Sequence, residues 1–266
     1  MEVSLGRKMK PILHHLSHPD NRWLIPACVV LALAVWEGVV HWGNFPAFIL
    51  PTPTQVWNRF LLAIGDGSLL ENAAATFNEV LFGLLTGAIL ATITGYILAK
   101  SPALERLLSP YLVASQAIPI VAIAPLLIIW FGPGIFSKIL ICALVVFFPV
   151  LVNTVVGVRA VPQHLRDLMH SMHATPLQTL RYLEIPASLP VFLGGLRTGA
   201  TLSVIGAVVG ESVGADRGLG FLVSVGRGQF DTALVFVAVF TLIFMALALY
   251  ALVLLLEKRL LRWQVH

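Results

Sequence analysis

The sequence predicts an all-α, polytopic membrane protein with six transmembrane helices, and three observations predict it. The 266 residues are 58% hydrophobic and 11% charged, whereas soluble domains run at about 45–50% and about 25%, and mean hydropathy is +0.90. The apolar residues fall into long runs, at 24–42, 72–99, 107–131, 138–158, 187–210 and 232–256. Each is near the ~20 residues that cross ~30 Å of hydrocarbon. Stretches such as 121–129 are continuously apolar and lack the alternation of a transmembrane strand. A single membrane domain over 24–256 follows, because no segment is polar enough for a separate soluble core.

Residues 1–23 are polar and precede no small-residue cleavage site, so they read as a cytoplasmic tail and not a signal peptide. The first run holds Glu37 near its end. After it, Thr52-Pro53-Thr54-Gln55 is a capping box with Pro at the first helical position, which predicts a short helix at the outer surface. Ser101-Pro102 repeats the Ser/Pro start on the inner side and predicts a tight turn between the second and third runs. Pro119 and Pro125 interrupt the third run; lipid does not tolerate the freed carbonyls, so this span should face the protein interior.

The connection 159–186 is the longest on the inner side. It holds a helix-compatible stretch over 162–170 and a second Thr/Gln capping box at Thr175-Pro176-Leu177-Gln178, which predicts two short helices at an angle. Exposed Leu168, Met169, Met172 and Leu177 on such a knuckle suit a partner's groove, although a plain surface connector fits equally. The fifth run contains Arg197, which should snorkel to the cytoplasmic edge or meet a carboxylate such as Glu79. Five glycines between 214 and 231 predict an irregular outer loop. Residues 257–266 read as a second cytoplasmic tail. With the N-terminus inside, 12 of the 17 Lys and Arg lie on the cytoplasmic side; Arg59, Lys138, Arg217 and Arg227 make 4 outside, and Arg197 is intramembrane. Both termini are therefore expected inside.

Polar side chains within the runs are few. Ser115, Gln116, Asn153, Thr154, Thr198, Ser203 and Glu211 are candidates to line a translocation path, with helix packing as the competing role for each. Glu211 is expected near the outer mouth. Enzyme readings lack a site: there is no G-x-x-x-x-G-K-[ST] phosphate loop, and Gly218-Leu219-Gly220 lacks the third glycine of a dinucleotide fingerprint. Cys28 and Cys142 have no metal or redox spacing, and all 8 histidines lie outside the apolar cores. No metal, cofactor or nucleic-acid partner is expected. The +4 net charge is scattered between apolar runs and not gathered into a patch. An ion-coupled carrier is the competing class, but it would usually show intramembrane carboxylates and paired repeats.

The segment from Asp167-Leu168-Met169 through His173-Ala174-Thr175 to Leu183-Glu184-Ile185-Pro186 resembles the "EAA" loop of permease subunits from bacterial ATP-binding-cassette importers. It departs from that pattern with Asp167 for Glu, Leu168 and Met169 for the two Ala, His173 for Gly and Leu183 for Ile. Other features along 50–263 are similar to the nitrate/sulfonate/taurine-type permeases: Leu50-Pro51-Thr52-Pro53, Trp130-Phe131-Gly132, Phe147-Phe148-Pro149, Pro186-Ala187-Ser188-Leu189-Pro190, Gly194-Gly195-Leu196-Arg197 and Val209-Gly210-Glu211. Within that family, 203–220 looks most like permeases for riboflavin or the pyrimidine precursor of thiamine. The resemblance implies a type I ABC importer permease fold in the cell membrane. It also implies partner ATPase subunits, an extracytoplasmic substrate-binding protein and a second permease copy in a homodimer surrounded by lipid. It assigns ATPase coupling to Asp167, Leu168, Met169, His173, Ala174, Thr175, Leu177 and Pro186.

Overall fold

The computed structural model describes residues 24–262, so the expected tail 1–23 lies outside the described residues. Among those described there is no strand. The helices are α1 (Leu24–Trp42), α2 (Pro53–Gly65), α3 (Ser68–Lys100), α4 (Pro102–Gln116), α5 (Ile120–Phe131), α6 (Ile135–Arg159), α7 (Gln163–Ser171), α8 (Pro176–Thr179), α9 (Ile185–Gly214), α10 (Leu219–Gly228) and α11 (Thr232–Leu260). By length and composition α3, α6, α11 and the continuous run Pro176–Gly214 can each cross a bilayer, and α4 with α5 makes a fifth, broken span. The 19 residues of α1 sit at the short end of the spanning range, so six spans are compatible with the fold.

Local sequence explains most boundaries. Both capping boxes form: Gln55 N–H donates to Thr52 Oγ1 at 3.2 Å, and Gln178 N–H donates to Thr175 Oγ1 at 3.3 Å. Ser101 caps α4 ahead of Pro102. Between α2 and α3 the Ser68 hydroxyl and its N–H hold the Asp66 carboxyl below the usual carboxylate range.

The third span, expected over 107–131 with interruptions at its prolines, is bent by 93° between α4 and α5. Pro119 is the reason. It has no N–H to continue the ladder and sits in an extended conformation (φ −64°, ψ 122°) just ahead of α5. Pro125 lies inside α5 without ending it.

The core is built around α6, which packs along α3 on one flank and α9 on the other. Close approach on the α3 flank depends on glycine: a Cβ at Gly83 would sit 2.2 Å from Cys142 Cβ. Lipid tails are as apolar as Leu, so fitting small residues together replaces the hydrophobic drive that joins helices in water. Val80, Val146, Val150, Ala200 and Val204 fill the layer between.

The segment 214–231, expected as an irregular loop, contains the buried helix α10 against α9 and α11. Gly226 serves contact there, since a Cβ on it would lie 2.8 Å from Val235 Cγ2. At the far end α11 runs to Leu260, past the boundary expected at 256.

Candidate coupling loop and translocation path

The connection after α6 holds one free helix, not two. α7 is followed by a turn at Met172–Thr175, and α8 then continues through a π-helical turn at Leu180–Glu184 into α9. Pro186 explains the π turn, because it cannot donate to the Tyr182 carbonyl one turn back. Ile185 N–H reaches the Leu180 carbonyl instead. The helix that carries the fifth span thus starts at Pro176, ahead of the run expected from 187.

The apolar residues expected on this loop are exposed: Leu168 by 54%, Met172 by 70% and Leu177 by 72%. Met169, Ala174 and Pro186 are half-buried, while Asp167 and Thr175 are exposed. The Asp167 carboxylate accepts from Gln163 Nε2 at 3.0 Å. His173, at the family's glycine position, adopts φ 53° in the left-handed region. The chain therefore makes the glycine-type turn without glycine.

Sequence reasoning missed the residue that ties this loop down. Glu184 is 1% exposed; it accepts from Lys100 Nζ at 2.5 Å and from Tyr96 OH at 3.0 Å, both on α3. Arg166 of α7 stands 3.7 Å from the same carboxylate and donates to the Val158 carbonyl of α6 at 2.6 Å. The only sequence signal was an acid directly ahead of Ile185-Pro186 at the start of a span.

The candidate path residues do not share one site. Ser115 and Gln116 line a cavity of about 460 Å³ at the α4–α5 bend, bordered on the α6 side by Leu144, Phe148 and Pro149. Thr154 and Ser203 are buried, and each hydroxyl donates to a carbonyl of its own helix, at Val150 and Ala200. Asn153 donates to the Pro149 carbonyl at 2.8 Å, and a Cβ at Gly195 would approach it to 2.5 Å. Thr198 is exposed and donates to Gly194 O.

Glu211 belongs to a buried polar cluster at the α10 end. Its carboxyl accepts from Thr76 Oγ1 at 2.6 Å and from the Gly220 N–H at 2.5 Å, joining α3, α9 and α10. Thr76 Oγ1 also accepts from Leu219 N–H at 2.8 Å, and Asn72 Oδ1 accepts from Gly218 N–H at 2.7 Å. Gly218 holds φ 118°, and a Cβ there would strike the Glu211 carboxyl at 2.2 Å. Beside them Lys138 Nζ pairs with Glu79 at 3.2 Å, both buried. Glu79 is thus not the partner of Arg197, which pairs with Glu257 of α11 and lies over the Tyr250 ring.

Residues 83–262 match the family described as binding-protein-dependent transport system inner membrane component. The riboflavin transport system permease protein RibX of Chloroflexus aurantiacus is 47% identical over 90% of this chain and 90% of its own length. The formylaminopyrimidine transport permease protein ThiX of Halalkalibacterium halodurans is 34% identical over 88% of this chain and 93% of its own. The fold is similar to a solved inward facing conformation of the MetNI methionine ABC transporter, with TM-score 0.59 and 18% identity, covering 73% of this chain and 94% of that one. This chain belongs to the family of binding-protein-dependent transport system inner membrane components, and it is a permease subunit of an ABC importer.

Proposed function

We propose that this permease carries riboflavin, delivered by an extracytoplasmic binding protein, through a homodimer driven by two ATPase subunits. The 47% identity to a riboflavin permease over nine-tenths of both chains is the observation that supports this cargo most. The likeness to ThiX favours a thiamine pyrimidine precursor as the second reading. A sulfonate, nitrate or taurine cargo stands third.

In this reading α7 and the start of α8 lie in the cytoplasm with both termini, and the exposed Leu168, Met172 and Leu177 seat in a groove of the ATPase. Apolar side chains exposed beyond the spans gain by such burial, at about 1.5–3 kcal/mol for a fully covered Leu. ATP-driven closure of the ATPases then moves α7, and the spans alternate between inward and outward access. Substrate passes the cavity at Ser115 and Gln116, where two polar side chains face the aromatic and proline surface of Phe148 and Pro149. The permease itself performs no chemistry.

Two measurements test the reading. The cognate binding protein should quench riboflavin fluorescence on mixing; saturable binding of a sulfonate or a pyrimidine without flavin binding refutes the cargo. Leu177→Asp should abolish co-purification of the ATPase while leaving the permease folded in detergent. Retained ATPase refutes the docking role of α8.

A further inference from the structure

We infer that Glu184 is a positioning residue for energy coupling, the clamp through which motion of α7 reaches α3; the inference rests on the proposed docking of the ATPase at α7 and α8. One carboxylate gathers three elements. It belongs to the π turn that begins the fifth span, it takes Lys100 Nζ (2.5 Å) and Tyr96 OH (3.0 Å) from α3, and it faces Arg166 of α7 at 3.7 Å. Arg166 extends the chain of contacts to the last turn of α6 through Val158 O.

Beside the π turn, direct packing of α3 on the first turns of α9 does not duplicate this link. A cavity of about 440 Å³ lies between α3 and the first turns of α9, lined by Tyr96, Thr154, Glu184, Ser188 and Phe192 among others. Glu184 therefore bridges α3 and the fifth span where their apolar surfaces stand apart. A gap spanned by a salt bridge lets the two helices tilt against one another while remaining tied, whereas a filled interface holds a single arrangement.

The same site carries the helix irregularity. The π turn interrupts the ladder of the long helix Pro176–Gly214, because Pro186 withholds a donor, as Pro190 does one turn further on. An ion pair at a weak turn fixes its direction. With the carboxylate in place, a push on α7 is delivered to α3, α6 and α9 together; without it, the turn absorbs the displacement.

The test uses the complete transporter in nanodiscs, with its ATPase subunits and binding protein. Glu184→Gln keeps the size and removes the charge. The expected result is full ATPase co-purification and unchanged basal hydrolysis, but stimulation by loaded binding protein lower by about tenfold, within the usual range of coupling factors. Unchanged stimulation in the assembled Glu184→Gln transporter overturns the inference. Should that variant fail to fold, Lys100→Met decides: its side chain is 40% exposed and tolerates the change, and it should lower stimulation likewise. The double variant should be no worse than the more severe single, because both remove one link; additive losses overturn the clamp. Leu177→Asp run alongside separates the two ideas. Retained ATPase there refutes the docking reading, while intact coupling in Glu184→Gln with normal docking refutes only the clamp.

Discussion

Thr76→Val is the sharpest test of how the α10 end is held. The substitution keeps the shape and deletes one oxygen. That oxygen donates to Glu211 at 2.6 Å and accepts from Leu219 N–H at 2.8 Å, in a side chain with 0% exposure. Its further contact with Asn72 O belongs to the helix's own turn and is lost at little expense. Two buried groups are left without this partner: a carboxyl oxygen and the first amide of α10. A hydrogen bond to a charged group contributes about 1.5–3 kcal/mol, and an orphaned buried amide costs about 1–3 kcal/mol. In a bilayer the unfolded helices also find partners, which lowers polar contributions toward about 0.6 kcal/mol on average. Here α10 is a short helix whose amides have water as the alternative, so we expect about 2–3 kcal/mol. The assay is SDS- or heat-induced unfolding of the purified permease in mixed micelles, read by helix signal. Ser203→Ala is the control, since that buried hydroxyl donates only to Ala200 O on its own helix. If Thr76→Val and Ser203→Ala unfold together, the cluster does not hold α10 and the reasoning fails.

The α3–α6 contact predicts that Gly83→Val is not tolerated. A Cβ 2.2 Å from Cys142 Cβ forces the helices apart, and overpacking of this kind typically costs about 1–3 kcal/mol, to be measured in the same unfolding assay with Gly65→Val, whose Cβ meets nothing within 4 Å, as control. His173→Gly should leave ATPase co-purification intact and raise stability by no more than about 1 kcal/mol, because left-handed backbone strain is relieved while unfolded-chain entropy increases. His173→Val, with a branched Cβ at φ 53°, should instead weaken co-purification; equal behaviour of the two variants refutes the turn's role.

What the sequence disclosed follows the range over which each force acts. Apolar length and capping are local, so the spans and the Thr52 and Thr175 starts were legible before any coordinates. Pro119 announced an interruption, but the 93° angle depends on α5 leaning on α6 and α9, which no local pattern encodes. Glycines misled at 214–231, because the same residue that frees a loop also lets helices touch. At Gly220 a Cβ would stand 2.9 Å from Glu211 Oε2, a reason invisible without the partner.

The ionic pairs show the limit most clearly. Glu184 and Lys100 are 84 residues apart and Arg197 and Glu257 are 60 apart, so composition alone leaves each charge with several possible partners. Cost decides among them. A lone charge in hydrocarbon is disfavoured by about 2.5–3.5 kcal/mol on insertion scales, so every intramembrane charge must end near a counter-charge or water. The sequence states that requirement but not its solution, which is set when α6 fixes the registers of α3 and α9. The same holds for the polar candidates: Ser115 and Gln116 come to share a cavity with Leu144 and Phe148 only through the bend. Ser203 is sealed in the packing around α6, whereas Thr154, at 4% exposure, still borders the cavity between α3 and α9. A hydrogen bond to the helix's own carbonyl does not tell these residues apart, because Ser115 Oγ donates to Leu112 O just as Thr154 and Ser203 donate to Val150 O and Ala200 O; what differs is the surface that the packing leaves open around each.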